Sequence, residues 1–305
     1  MTTTSPHVQR ANGRTGHHEF EREELVAPTS WGLPEYEMVS LISRGAIADV
    51  WHVRDNTTGA DFALKQLREE WEDDPTAHQL LKNEVHVSAL VKSPYVVRVW
   101  DAPTGFEQTA VLMEWLGNTT LARHLHDAGS LSIRESLWIA RQCALGIQDL
   151  VAAGYVHGDL KPENIALLPG GAIKLIDLGF AQPVAVASTI PRADVFTGTI
   201  SHTAPEVSSL EPSTPVCREL YSLGILLFHM LTGRLPFQGT TAADVMRQHR
   251  ERRPPLLRIW CPAASDDVVH FVNRLLAKHP LRRASNLTEV IRELIRLELA
   301  HWPVA

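Results

Sequence analysis

The feature that most constrains this chain is a change of hydrophobic period near Gly117. Before it come short runs rich in β-branched and aromatic residues: EMVSLI, VWHVR, FALKQL, YVVRVW and AVLMEW, separated by turn material such as DNTTG. After it the apolar positions recur at helical spacing. In SLWIARQCALGIQDLVAAG, positions 140, 143, 144, 147, 150 and 151 share one face and Gly154 stops the pattern; Leu287, Val290, Ile291 and Leu294 form a second stripe. One helix, Ala77 to Val91, interrupts the strand-like part. The pattern predicts a bilobal α+β architecture, with a small β-rich lobe over about 36–114 and a larger helical lobe over about 115–300. Residues 1–35 are polar and aperiodic, and are expected to form a mobile tail.

Composition narrows the function classes. With 305 residues, 44% hydrophobic and 21% charged, the chain can bury a sizeable core. Its 29 basic and 35 acidic residues give no polyanion-binding signature, so a nucleic-acid partner is not expected. Cys143, Cys217 and Cys261 are widely separated, which favours reduced thiols and a cytoplasmic setting. The longest apolar stretch, YSLGILLFHML, is too short to cross a bilayer, and the first residues lack the apolar core of a signal peptide, so no membrane association is expected. Fifteen histidines show no HExxH or paired His/Cys spacing, and eight tryptophans interleave with no basic run; both sets read as packing or surface residues. EFEREEL reads as a solvated approach to the domain.

The chemistry concentrates in HGDLKPEN, His157 to Asn164. Its proline breaks any helix, and the run lies between a helix and the strand pair IALL and AIKLID, so its polar groups sit on a loop held by rigid elements. An Asp, a Lys and an Asn there can orient a hydroxyl, neutralise a phosphoryl oxygen and hold magnesium. Eighteen residues after Asp159, at the end of an apolar strand, comes Asp177 in LIDLGF, suited to be a second metal ligand.

From about Tyr36 to Arg296 the sequence resembles the eukaryotic-type (Hanks-type) protein serine/threonine kinase family. HGDLKPENI resembles the family's catalytic loop, IDLGF its DFG motif with Leu178 in place of Phe, FALK its VAIK strand, and GTISHTAPE the end of its activation segment. ELYSLGILLFHMLTGRLPF and HPLRRAS resemble later motifs, which makes Arg283 the expected partner of Glu206. The ordered set is far more specific than any one motif. The resemblance implies ATP and Mg2+ as cofactors and a protein substrate with a Ser or Thr acceptor. It gives Asp159 the acceptor proton, Lys161 the γ-phosphate, Lys65 the α and β phosphates, and Asn164 and Asp177 the metal. Lys161 favours Ser/Thr over Tyr, as does Thr199. The nucleotide would lie among Ser43, Gly45, Ala48, Val50, Ala63, Lys65, Met113, Glu114, Leu116 and Ala166, with Glu114 to Leu116 as the hinge. His157 is in the family a packed residue and not a base.

The partner of Lys65 can be sought from phase. In HQLLKNEVHVSALV, Glu84 lies three or four residues from Leu80, Leu81, Val87 and Ser88, on the apolar stripe of the helix, and is the expected ion-pair partner.

Departures from the family support a rival reading, a pseudokinase that serves as a nucleotide- or partner-binding scaffold. Ser43 and Ala48 replace two glycines of the phosphate-covering loop, of which Gly45 keeps the central one. Ser88 stands where the family packs an apolar side chain, and is expected to loosen the helix in the absence of a partner or ligand. Ala166 replaces a larger residue under the nucleotide, predicting a roomier pocket. Gly158 takes the place of an arginine that in much of the family binds a phosphate on the activation segment; Arg192 and Lys174 are the cations that could replace it. A third reading, the same fold acting on a small molecule, fits less well with an intact APE at Ala204, Pro205 and Glu206. Nothing in the sequence indicates an oligomeric state.

Overall fold

The computed structural model describes residues 35–102, 109–185, 200–208, 213–284 and 286–302. Residues 1–34 of the expected tail, Arg192 and Thr199 lie outside these residues.

Five antiparallel strands open the chain: β1 Tyr36–Arg44, β2 Ala48–Asp55, β3 Asp61–Leu67, β4 Val99–Asp101 and β5 Ala110–Glu114, in the order β1-β2-β3-β5-β4. Strand alternation sorts their side chains. Ala63, Leu67, Val111 and Met113 join the main core, while Trp51, Val53, Leu64 and Leu112 form a small cluster on the other face. Lys65 shares the inner phase of Ala63 and Leu67, which aims it at the core side. The run YVVRVW forms a strand only from Val99. Val96 and Val97 are buried, and the Val97 amide donates to the Leu175 carbonyl, so this stretch pairs across to the helical lobe instead of extending the sheet.

Helix α1, Pro75–Leu90, begins two residues before the predicted start. Asp74 caps it by accepting from the Thr76 and Ala77 amides at 2.7 and 2.9 Å, and Pro75 sits at the first helical position, where its missing N–H costs nothing. Ala77, Leu81, Glu84, Val87 and Ser88 are its buried face.

The larger lobe carries α2 Leu121–Ala128, α3 Ile133–Ala152, α4 Pro215–Thr232, α5 Ala242–Glu251, α6 Asp266–Leu275 and α7 Leu287–Ala300. Two-residue β6 Tyr155–Val156 pairs with β9 Gln182–Pro183, and β7 Ile165–Leu167 pairs with β8 Ile173–Leu175, the strand pair expected from IALL and AIKLID. The apolar stretch YSLGILLFHML lies within α4, where Tyr221, Leu223, Ile225, Leu226, Leu227, Phe228, Met230 and Leu231 are all buried: it is the core helix of this lobe. No described helix is long and apolar enough to cross a membrane. The predicted stripes of α3 and α7 are buried, except Val151, which is half-buried, and the two helices pack on each other. Cys143, Cys217 and Cys261 are free thiols.

Candidate active site

The HGDLKPEN loop leaves β6 and enters β7, and His157, Asp159, Lys161 and Asn164 in it are joined by hydrogen bonds and an ion pair. His157 is fully buried. Its Nε2–H donates to the Ile176 carbonyl at 3.0 Å, while its Nδ1 accepts from the Asp159 amide at 3.3 Å. Burial, outweighing the nearby carboxylates, lowers its pKa and keeps it neutral, so it is a strut and not a base. Asp159 receives Lys161 Nζ at 2.7 Å and Asn164 Nδ2 at 2.9 Å, both on Oδ2. Asn164 Nδ2 also donates to the Asp159 carbonyl, which leaves the amide oxygen as the atom of Asn164 able to ligate a cation. Asp159 Oδ1 is buried and has no partner among the described residues. A buried carboxylate oxygen without a donor is costly, and it is the form of a site awaiting a hydroxyl.

Facing this loop, Lys65 Nζ donates to Glu84 Oε1 at 2.5 Å and to Asp177 Oδ1 at 3.1 Å. Glu84 is fully buried, as its helical phase required. Burial alone would lower the Lys65 pKa, but the charges of Asp177 and Glu84 outweigh it and hold it above the ordinary lysine value. Burial pushes the Glu84 carboxyl up to about 7 against the pull of Lys65, with the charge of Asp177 adding to the rise. The ammonium, held by Glu84 and Asp177, keeps its proton. Asp177 stays below the usual carboxylate range because Lys65 offsets its burial, and about a third of its side chain (32%) is exposed.

These groups line one cleft of about 600 Å³ between the lobes. Its wall includes Ser43, Gly45, Ala48, Val50, Ala63, Met113, Glu114, Leu116 and Ala166, so every residue expected to contact nucleotide is brought to one cavity. Gly45 is required there by space. A Cβ on it would meet the Ala48 carbonyl oxygen at 2.6 Å, inside the tight turn joining β1 to β2. Glu114 accepts from Lys174 Nζ at 2.5 Å and from the Arg98 amide at 2.8 Å, which ties the hinge to β8. Trp115 of the hinge stacks on His52 with ring centroids 3.9 Å apart.

Asp177 and Asn164 supply a carboxylate and an amide oxygen, hard donors suited to magnesium. Among the described residues no group of three or more His, Cys, Asp or Glu side chains forms a metal cage. Two protein oxygens fit an ion whose remaining ligands come from phosphates and water.

Two expectations need correction. Ser88 does not loosen α1: its hydroxyl donates to the Val97 carbonyl at 3.1 Å and accepts from the Val99 amide at 2.8 Å, pinning the helix to the start of β4. A hydroxyl can satisfy two backbone groups that an aliphatic side chain would leave to find other partners. Lys174 is committed to Glu114 and is not a stand-in for the cation missing at Gly158. Sequence reasoning also missed Asn83, whose amide nitrogen lies within hydrogen-bond distance of the Leu178, Gly179 and Ala181 carbonyls.

Farther along, Arg283 pairs bidentately with Glu206, at 2.6 and 3.0 Å, with both side chains buried. This is the expected partnership.

A sequence model described as the protein kinase domain matches residues 36–295. Similar curated proteins include a serine/threonine-protein kinase of Corynebacterium efficiens (28% identity, over 88% of this chain and 52% of that protein). Serine/threonine-protein kinase PknA of Mycobacterium tuberculosis is 31% identical over 81% of this chain and 58% of its own length. Serine/threonine-protein kinase PrkC of Bacillus subtilis is 27% identical over 81% of this chain and 38% of its own length. The chain thus spans about half, or less, of the length of these relatives.

Proposed function

The chain belongs to the protein kinase family, and from that membership and the site's geometry we propose that it transfers the γ-phosphoryl group of ATP to serine or threonine hydroxyls of protein substrates. The observation that carries this reading is the division of labour on Asp159: Oδ2 is held by Lys161 and Asn164, and Oδ1 is buried and unpartnered. An acceptor hydroxyl placed there gives its proton to Oδ1 while its oxygen bonds the γ-phosphorus. The bond from that phosphorus to the β-γ bridging oxygen breaks, and ADP leaves. Lys65 neutralises charge on the α and β phosphates and Lys161 on the γ phosphate, so the protein's contribution is orientation and preorganised charge. Asn164 and Asp177 would hold Mg2+, which when bound spreads the negative charge of the phosphates. The choice of Ser/Thr over Tyr draws on Lys161 and on the names of the relatives.

The test is transfer of labelled phosphate from ATP to a generic protein substrate. Wild type is expected to label it. Asp159→Asn is expected to fall by about a hundredfold or more, the range of a lost general base, and Asp177→Asn to be inactive with the fold intact. Full activity in either variant overturns the assignment. An unlabelled substrate with wild type, under conditions where nucleotide binds, would favour the scaffold reading that Ser43 and Ala48 suggest.

A further inference from the structure

Asp177 is the one non-glycine residue among those described with positive φ, at +65°. A side chain disfavours that left-handed backbone, so neighbouring structure must hold it there. The turn that follows, Leu178 to Phe180, is where such support can act. Leu178 is fully buried, and the Ala181 amide closes the turn on the Leu178 carbonyl at 3.0 Å. The turn lies flat on α1: a Cβ on Gly179 would come within 3.3 Å of Glu84 Oε1 and of the Leu80 carbonyl oxygen.

Into this contact α1 sends one amide. Asn83 Nδ2 lies 3.2 Å from the Leu178 carbonyl, 2.9 Å from that of Gly179 and 3.0 Å from that of Ala181. Three converging carbonyl oxygens demand a donor, which fixes the orientation of the amide, and its two hydrogens serve three acceptors by sharing. Asn83 is adjacent to Glu84. A single step of α1 therefore carries both the partner of Lys65 and the clamp on the turn.

We propose that Asn83 is a positioning residue: it locks the turn after Asp177 to α1, so that the Asp177 carboxylate faces Lys65 and the cleft only when the helix is seated. It does not line the cleft, and acts through the backbone of Leu178, Gly179 and Ala181. The role of Asp177 toward the metal rests on the function proposed above; the clamp itself does not.

Two measurements test it. The first is amide hydrogen exchange of the ligand-free full chain. Asn83→Ala is expected to speed exchange at Ala181 by about tenfold, the equivalent of about 1.4 kcal/mol, while exchange across β1 to β5 is unchanged. Asn83→Asp keeps the size but turns an acceptor toward three acceptors, and is expected to open the turn at least as much. The second is the magnesium dependence of phosphoryl transfer at saturating ATP, where the half-saturating concentration should rise about tenfold in Asn83→Ala. Wild-type exchange at Ala181 in both variants overturns the clamp, as does a uniform acceleration throughout the sheet. If wild type transfers no phosphate, the kinase reading fails and the exchange result still decides the clamp.

Discussion

Removing the guanidinium of Arg283 gives the sharpest stability prediction. All five of its N–H groups have acceptors nearby: Nε donates to the Ala277 carbonyl, Nη1 to Glu206 Oε1 and the Cys217 carbonyl, and Nη2 to Glu206 Oε2 and the Lys278 carbonyl. The side chains of the pair are 0% and 1% exposed, so water cannot replace either partner. Arg283→Met leaves the Glu206 carboxylate buried without its cation, a loss of about 3–5 kcal/mol. For a domain of this size that is a fall in Tm of roughly 6–20 °C. The double variant Arg283→Met, Glu206→Leu removes the orphaned charge and leaves only the three carbonyls short of a donor. At about 0.5–1.5 kcal/mol for each lost hydrogen bond, it should cost roughly 1.5–4.5 kcal/mol. The pair should therefore show a coupling of about 2 kcal/mol or more in a thermal or urea double-mutant cycle. Arg283→Lys should fall between, since three donors on one nitrogen cannot reach five separated acceptors. A cost below about 1 kcal/mol for Arg283→Met, or strict additivity in the cycle, would refute the reasoning.

Other outcomes are specific enough to check. Burial, reinforced for His202 by His229, His249 and Lys161 and for His249 by Lys278, lowers both histidine pKa values to about 3, so the unfolded chain binds more protons below its ordinary pKa of about 6.5 and stability falls as pH drops through that window. At pH 5 each should have lost about 2 kcal/mol, and since the raised Glu84 carboxyl works in the opposite direction, a shallower Tm decline between pH 7 and 5 in His249→Phe than in wild type is the check; parallel curves would refute it. Mg·ATP at about 100 times its dissociation constant should stabilise the chain by about 2.7 kcal/mol, and Lys65→Met should shrink that shift; no shift with any nucleotide would argue against a nucleotide site.

The parts of the site that could be read from sequence are those where position along one element decides the outcome. Glu84 follows from the phase of α1, and Lys65 from the resemblance of FALK to the family's VAIK strand. Asp159, Lys161 and Asn164 share a loop so short that their proximity needs no tertiary information. What escaped reading depends on elements meeting. Val96 and Val97 are as strand-like as Val99, yet they pair with β8 because the chain crosses to the larger lobe there. Ser88 looks like a defect in an apolar stripe until the Val97 carbonyl and Val99 amide are brought against it. Asn83 reads as an ordinary polar helix residue because its three acceptors lie about 95 residues away in the chain. Lys174 offered a charge to the sequence argument, and its use was settled by Glu114.

Gly158 joins these observations. Its backbone has φ +78°, and its amide donates to Glu219 Oε1 at 2.6 Å. Any other residue holding this backbone would occupy the left-handed region at a cost of about 1–2 kcal/mol. Glycine adopts the same conformation without strain and presents no guanidinium to a phosphate. Around the cleft, contacts already in place are Ser88 with Val99 of β4, Asn83 with the turn after Asp177, and Lys65 between Glu84 and Asp177. Of these three contacts, only Lys65 with its two carboxylates relies on charge, and none needs a phosphate to form. The seating of α1 is thus the structural variable on which Glu84, Asn83 and Ser88 all depend, and whatever displaces that helix displaces the partner of Lys65 and the support of Asp177 together.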